Sequence, residues 1–201
     1  CNAIRLLAQL FLKVEALPRE DREALEVAVR ATEDNYAQSL GAAFEDAPSG
    51  KLTCICGLAD TQDGCLVLDF NIRYPVTDQG DRVLGAMDAF FAAAGWKRTY
   101  VSDSKPAYLP ADDPKIQMLG EIYHQITGKD GTPYTMGGGT YARKLRNAAG
   151  FGMESPTPAA DFGPGHGGVH QPDEAIRIDT LTDALKIYIL SILEIDRILN
   201  P

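Results

Sequence analysis

Basic residues are in short supply in this 201-residue sequence, where 19 Lys and Arg stand against 28 Asp and Glu for a formal net charge of -9. Such a surplus opposes sequence-independent binding to phosphate backbones and to anionic membrane surfaces, so neither nucleic acid nor membrane is an expected partner. Long apolar runs are lacking too. The stretches Ala3 to Val14 and Leu185 to Leu193 are interrupted by Arg, Gln, Lys or Glu and are too short to span a bilayer. No basic region followed by an apolar run and a small-residue cleavage site opens the chain, and the expectation is a cytoplasmic protein. Cysteine is sparse. Cys1, Cys54, Cys56 and Cys65 are too few to suggest a disulfide framework, so reduced thiols are expected. Cys54 and Cys56 share a face of a strand-like run, where they act as small buried hydrophobes or at most as half of a metal site. No Ser or Cys sits in a nucleophile motif, and no carboxylate spacing identifies a general base.

What is present is an apolar content of 45%, enough to build the core of one domain or two small ones. The chain opens on a helical pattern in which Ile4, Leu7, Leu10 and Phe11 share a face, with no cap expected before it. That opening suggests a cut end. A second helix is expected from Arg19 to about Tyr36, then a turn over Asp46 to Gly50. Lys51 to Ala59 and Cys65 to Tyr74 read as strands joined by a loop ending in Asp63-Gly64, which fits a hairpin. In the second strand Leu66, Leu68, Phe70 and Ile72 take one face and Asp69, Asn71 and Arg73 the other. A helix over Gln79 to Ala94 places Val83, Leu84, Met87, Phe90 and Phe91 at core spacing, and Lys97 to Ser102 reads as a strand. This order matches most of a ferredoxin-like βαββαβ unit lacking its first strand.

Beyond Pro110, Asp112-Asp113-Pro114 predicts a helix start, with Ile116, Leu119, Tyr123 and Ile126 on the apolar face up to Gly128. A strand is expected around Ala148 to Gly152, then a long loop from Glu154 to Pro172. A last helix is expected, capped by Asp179 or Thr180, with Ile178, Leu181, Leu185, Tyr188, Ile192 and Ile195 as a buried stripe.

Three segments could carry chemistry. His166 and His170 lie in a Gly- and Pro-rich loop rather than a helix, so a helical metalloprotease motif does not apply. A loop histidine oriented by Asp173 or Glu174 is a metal ligand, an acid-base group, or simply a surface residue. The run Met136-Gly137-Gly-Gly-Thr140-Tyr-Ala-Arg143 allows close backbone approach, and Arg143 could grip a carboxylate with two parallel hydrogen bonds; a plain turn is the alternative. Its spacing is neither that of a Walker loop nor that of a dinucleotide fingerprint. Asn71 and Arg73 could bind an anion, or form a solvated sheet face where Arg73 pairs with Asp69.

In order, these segments resemble the zinc dipeptidases related to bacterial peptidase V, carnosinase and succinyl-diaminopimelate desuccinylase. The resemblance covers essentially the whole chain. It rests on Asn2-Ala-Ile, Ser49-Gly-Lys-Leu-Thr, Leu68-Asp-Phe-Asn-Ile-Arg-Tyr-Pro75, Gly137-Gly-Gly-Thr-Tyr-Ala-Arg-Lys144 with Asn147 and Phe151-Gly, and His170-Gln-Pro-Asp-Glu-Ala-Ile176. It implies an α/β enzyme in which an α+β, ferredoxin-like lid is inserted into a zinc-binding domain. Residues 1–110 would be most of the lid and 111–201 the C-terminal segment of the catalytic domain. By the same comparison His170 matches the last zinc ligand, and Arg143 with Gly138, Gly139 and the adjoining Thr140 resembles the clamp for the carboxylate of a dipeptide substrate. Asn71 resembles a lid residue that reaches the substrate. The full-length enzyme is expected to hold two zinc ions, this chain at most one partial site.

The family's other metal ligands, its general base and its lid histidine belong to an upstream half absent from this sequence. The chain alone is therefore expected to be inactive, its partner being that missing N-terminal half. Departing from the peptidase V type, Asp161-Phe-Gly-Pro-Gly-His166-Gly-Gly-Val stands where an acidic segment usually precedes the zinc histidine. The alternative function is a non-catalytic, ferredoxin-like module for ligand binding or homodimer formation, since an isolated lid leaves sheet edges and helix faces open to self-association. A related amidase or desuccinylase stays within the same enzyme class.

Overall fold

The computed structural model describes residues 2–153, 162–163 and 165–200, and mixes helices with small sheets in an α+β arrangement. Cys1, Pro201 and part of the loop read from Glu154 onward, residues 154–161 and 164, lie outside the described residues. The chain forms two compact units, Cys1–Ala107 with Thr135–Gly138, and Tyr108–Tyr134 with Gly139–Pro201.

In the first unit, helix α1 (Ala3–Phe11) does have a cap: the Asn2 side-chain oxygen accepts from Ile4 N at 2.8 Å and Arg5 N at 3.4 Å. The expectation of an uncapped start is corrected. Asn2 Nδ2 also donates to the Cys56 carbonyl at 2.9 Å, tying the helix start to the sheet. Only Ala8 of α1 is buried, while Leu7, Leu10 and Phe11 stay about half exposed.

Helix α2 (Arg19–Ala31) stops short of Tyr36 because side chains there offer the backbone other partners. Thr32 Oγ1 donates to Ala28 O at 2.7 Å, and the Asp34 carboxylate accepts from the amides of Tyr36, Gln38 and Ser39 at 2.7, 3.1 and 2.9 Å.

Strands β1 (Glu45–Asp46) and β2 (Gly50–Lys51) form a small antiparallel pair around the expected turn. A polar latch closes it. Asp46 accepts from Ser49 N and Oγ, both at 2.7 Å, and from Thr77 N and Oγ1 at 3.0 and 2.9 Å, while Ser49 Oγ accepts from Val76 N at 3.0 Å.

Strands β3 (Thr53–Gln62) and β4 (Cys65–Arg73) make the main hairpin. Asp63 and Gly64 both hold positive φ, at 51° and 77°, the conformation a two-residue loop needs to match strand twist. Register runs from Thr53 opposite Arg73 to Cys56 opposite Phe70, then shifts so that Leu58 faces Asp69, leaving Gly57 as a bulge.

The buried core joins Ala31, Ala37, Leu40, Ala42, Leu52, Cys54, Val83 and Met87, with Phe70, Ile72, Phe90 and Phe91 packed against it. Val83 and Met87 come from helix α3 (Gly80–Ala92), which ends before Gly95 at φ 79°. The strand expected over Lys97–Ser102 does not form. A strand needs a hydrogen-bonding neighbour, and this run pairs with no other among the described residues, leaving Tyr100 80% exposed. Each described sheet has two strands, so the ferredoxin-like order is not reproduced.

In the second unit, helix α4 (Pro114–Thr127) starts as its sequence predicts, with Asp113 Oδ1 accepting from Lys115 N at 2.8 Å, and ends at left-handed Gly128. It packs on helix α5 (Ile178–Leu199) through Ile122, Tyr123 and Ile187, flanked by Met118, Ile126, Phe151, Met153 and Leu190. The strand expected over Ala148–Gly152 is absent. Phe151 instead meets Tyr188 edge to face at 6.0 Å, and its carbonyl accepts from the Tyr188 hydroxyl at 3.1 Å. Neither Asp179 nor Thr180 takes the cap position of α5, which falls to Arg177 with no side-chain capping bond; the Arg177 guanidinium bonds to Asp179 in the first turn, and Asp179 Oδ1 accepts from Thr180 N at 2.8 Å. The expected buried stripe is also corrected. Packing on α4 covers the flank of Ile187, Leu190 and Ser191, whereas Ile178, Leu181, Leu185 and Ile192 are more than half exposed. Among the described residues no helix is long and apolar enough to cross a membrane.

Candidate functional site

The first unit contributes the outward face of the β3–β4 hairpin. Alternation places Asp69, Asn71 and Arg73 on this exposed face. Pairing sets Ile55 opposite Asn71 and Leu58 opposite Asp69, so the polar groups stand beside two half-exposed apolar side chains. The glycine run reaches this face through Arg73. A side chain at Gly137 would meet Arg73 Nη1 at 2.9 Å and Cδ at 3.0 Å, so the glycine is what lets the guanidinium lie against the backbone. Thr135 Oγ1, donating to Pro48 O at 3.2 Å, fixes the approach of this segment. Gly138 is crowded by Met136 Cε, 2.9 Å from where its Cβ would stand.

Across the unit boundary in sequence, Gly139, Thr140 and Arg143 form one local arrangement. Thr140 caps a single 3₁₀ turn (Tyr141–Lys144), its hydroxyl accepting from Ala142 N at 3.2 Å and its carbonyl from Arg143 N at 3.2 Å. The turn returns the Arg143 side chain onto Gly139, where a Cβ would overlap Nη2 and Cζ and stand 2.7 Å from Nε. Ala142 is the buried anchor of the turn, while Arg143 is exposed. Among the described residues neither Arg73 nor Arg143 has an ion-pair partner, so the expected alternative of an Arg73–Asp69 pair is not found. An exposed guanidinium held by backbone shape and left without a carboxylate can accept one from solution.

The second unit also carries the histidine loop. His170 is exposed and takes φ 64°, and its amide donates to Glu174 Oε2 at 3.1 Å. His166 Nδ1 lies 2.8 Å from Asp173 Oδ2, a bond that holds the Asp173 carboxyl below its ordinary range. The acidic residues expected to orient the loop are therefore split: Asp173 serves the His166 ring and Glu174 the His170 backbone. No hydrogen bond or ion pair joins His170 to Arg143 among the described residues.

The pair of zinc ions implied by the resemblance is not accommodated by these residues alone. Among them no group of three or more His, Cys, Asp or Glu side chains could hold a metal ion, and His170 offers one imidazole. The paired thiols do not add to it. Cys54 and Cys56 are buried, and burial first of all pushes them up to about 12 and about 11, away from the thiolate a metal needs. Strand alternation in the sequence gives the face of Arg73 but not the distant loop it meets, so its close fit to Gly137 is a feature of the folded structure alone.

The nature of the chain follows from comparison with known proteins. It is 32% identical over 195 residues to "Putative dipeptidase YtjP" of Bacillus subtilis, covering 96% of this chain and 40% of that protein. It is 30% identical over 199 residues to the Beta-Ala-Xaa dipeptidase of Lactobacillus delbrueckii subsp. lactis, covering 98% of this chain and 40% of that protein. No family model matches the chain. Similarity over nearly the whole chain to proteins named as dipeptidases supports a dipeptidase family, and the chain spans about 40% of the length of these relatives.

Proposed function

We propose that this chain is part of a metal-dependent dipeptidase and supplies the group that holds the free C-terminal carboxylate of a short peptide. The observation that carries the reading is Arg143, exposed, without a carboxylate partner among the described residues, and laid against Gly139 by the capped turn at Thr140. Two parallel N–H donors from one planar guanidinium match a carboxylate better than any other anion of a dipeptide. Gly138 and Gly139 are assigned to the same clamp as backbone donors, and Asn71 is assigned to substrate contact. His170 is assigned as one zinc ligand, the remaining ligands and the general base coming from sequence that corresponds to the rest of the relatives. The 201-residue chain by itself is accordingly inactive. Fold and site leave open a related amidase or desuccinylase, and the non-catalytic module gains no support from relatives named as dipeptidases.

The test is Arg143→Ala in the intact protein, with kcat/KM measured on a dipeptide and on its C-terminal amide. Losing a charge-assisted pair worth roughly 1.5–3 kcal/mol should lower kcat/KM for the free dipeptide about 10- to 100-fold and barely change that for the amide. Arg73→Ala runs beside it, because Arg73 is the other guanidinium laid against the glycine run and has no ion-pair partner among the described residues. If Arg73→Ala alone shows the selective loss, the clamp moves to Arg73. Equal activity of the unmodified protein on both substrates, or chelator-sensitive hydrolysis by the 201-residue chain alone, would overturn the reading.

A further inference from the structure

The segment from Gly165 to Ala175 doubles back on itself, and His170 lies near its tip. Its two arms are joined twice: Ala175 N donates to Gly167 O at 3.3 Å, and the His166 ring bonds to Asp173 at 2.8 Å. Between the arms, Gln171 N donates to Gly168 O at 3.1 Å, closing the turn that contains His170. Gly165 and Gly167 hold φ of 78° and 70°, and the Phe162 ring fills the space where a side chain on Gly167 would go. His170 itself has a left-handed backbone without being glycine, a conformation that persists only where its surroundings hold it. The Glu174 carboxylate on its amide is one such hold. It works only while Glu174 is brought back over the tip, which the joined arms ensure.

We propose that His166 and Asp173 form a clasp across the loop that positions His170, making both of them positioning residues for the site. The inference rests on reading His170 as a functional imidazole. His166 is not assigned contact with substrate or metal; its ring is spent on Asp173, and its effect reaches His170 through the backbone of the loop. Both clasp side chains are about half exposed or more, at 69% and 49%, so the pair is screened by solvent and its effect is moderate.

The experiment compares Asp173→Ala and Asp173→Asn in the intact protein, reading hydrogen exchange at the His170 amide together with kcat and KM on a dipeptide. Asp173→Ala should speed exchange about fivefold and lower kcat by a similar factor with KM unchanged, the upper range for an exposed charged pair. Asp173→Asn, which keeps an acceptor oxygen for the His166 ring, should stay within about twofold of the unmodified protein on both counts. Unchanged exchange in Asp173→Ala, or equal effects of the two substitutions, would overturn the clasp. His170→Ala separates the two readings: if it leaves activity intact, the role given to His170 fails, while the exchange data still decide whether the clasp exists.

Discussion

Gly139→Ala should separate stability from function more cleanly than any other substitution in the chain. Gly139 does not need a left-handed backbone, so alanine is conformationally acceptable there, and losing glycine's freedom in the unfolded chain favours folding by about 0.4–1 kcal/mol. The obstacle is steric and local. A methyl group would stand 2.7 Å from Arg143 Nε and overlap the rest of the guanidinium, against ordinary contact near 3.5–4 Å, so Arg143 must withdraw by roughly 1 Å. What moves is the far end of a flexible side chain, so the fold can yield at little cost. For a group that orients substrate, a displacement of about 1 Å can cost on the order of 100-fold. In the intact protein the thermal midpoint should hold or rise slightly, while kcat/KM for a free dipeptide falls about 10- to 100-fold and that for its amide does not. Unchanged kcat/KM would refute the claim that Arg143 acts from its position on Gly139. A collapse in the thermal midpoint would refute the claim that the clash is confined to the side chain.

Two further outcomes follow from groups away from the arginines. Desolvation opposes ionisation of Asp46, but hydrogen bonds from Ser49 and Thr77 outweigh it and bring the carboxyl down to about 2 from its ordinary 3.8. Its folded value lies below its unfolded one, so the latch contributes fully above about pH 4 and is lost as pH falls through about 2. Thermal midpoints measured across that window should fall less steeply for Asp46→Asn, and parallel curves would count against the latch. Alkylation of the folded protein at pH 8 should label exposed Cys65 and spare Cys54 and Cys56, whose thiols are buried; equal labelling rates, read peptide by peptide in a mass spectrometer, would contradict that packing.

Elements governed by local rules were legible in the sequence. Asp63-Gly64 announced the hairpin, Asp113-Pro114 and Gly128 bounded α4, and the two-residue period of β4 separated Phe70 and Ile72 from Asn71 and Arg73. Features that depend on partners were not. The run over Lys97–Ser102 has strand composition but no strand to pair with among the described residues, and the apolar residues of α5 fit more than one stripe until α4 selects the flank of Ile187 and Leu190. The tie from Asn2 to the Cys56 carbonyl joins residues far apart in the chain, so only the folded structure shows that Asn2 both caps α1 and anchors it to the sheet. At the candidate site, residue types and order pointed to Arg143 and His170, but not to the backbone approach at Gly139 or to the division of Asp173 and Glu174 between ring and amide.

The bulge at Gly57 acts as a phase shifter for the sheet. Up to Cys56 the even-numbered residues of β3 take the core-side face of the sheet, and beyond Gly57 the odd-numbered ones take it, with Ala59 opposite Leu68 and Thr61 opposite Leu66. Deleting Gly57 would remove the unpaired residue and leave unbroken alternation from Cys56 to Leu58, with Leu58 still opposite Asp69 and every face out to Gln62 kept. Ala59 would stay on the core side and Asp60 on the outward side, and what would be lost is the local bend and added twist of the bulge. The outward surface beside Asn71 is therefore set by the pairing rather than by the count of residues, since the bulge is where β3 absorbs one residue more than β4 opposes.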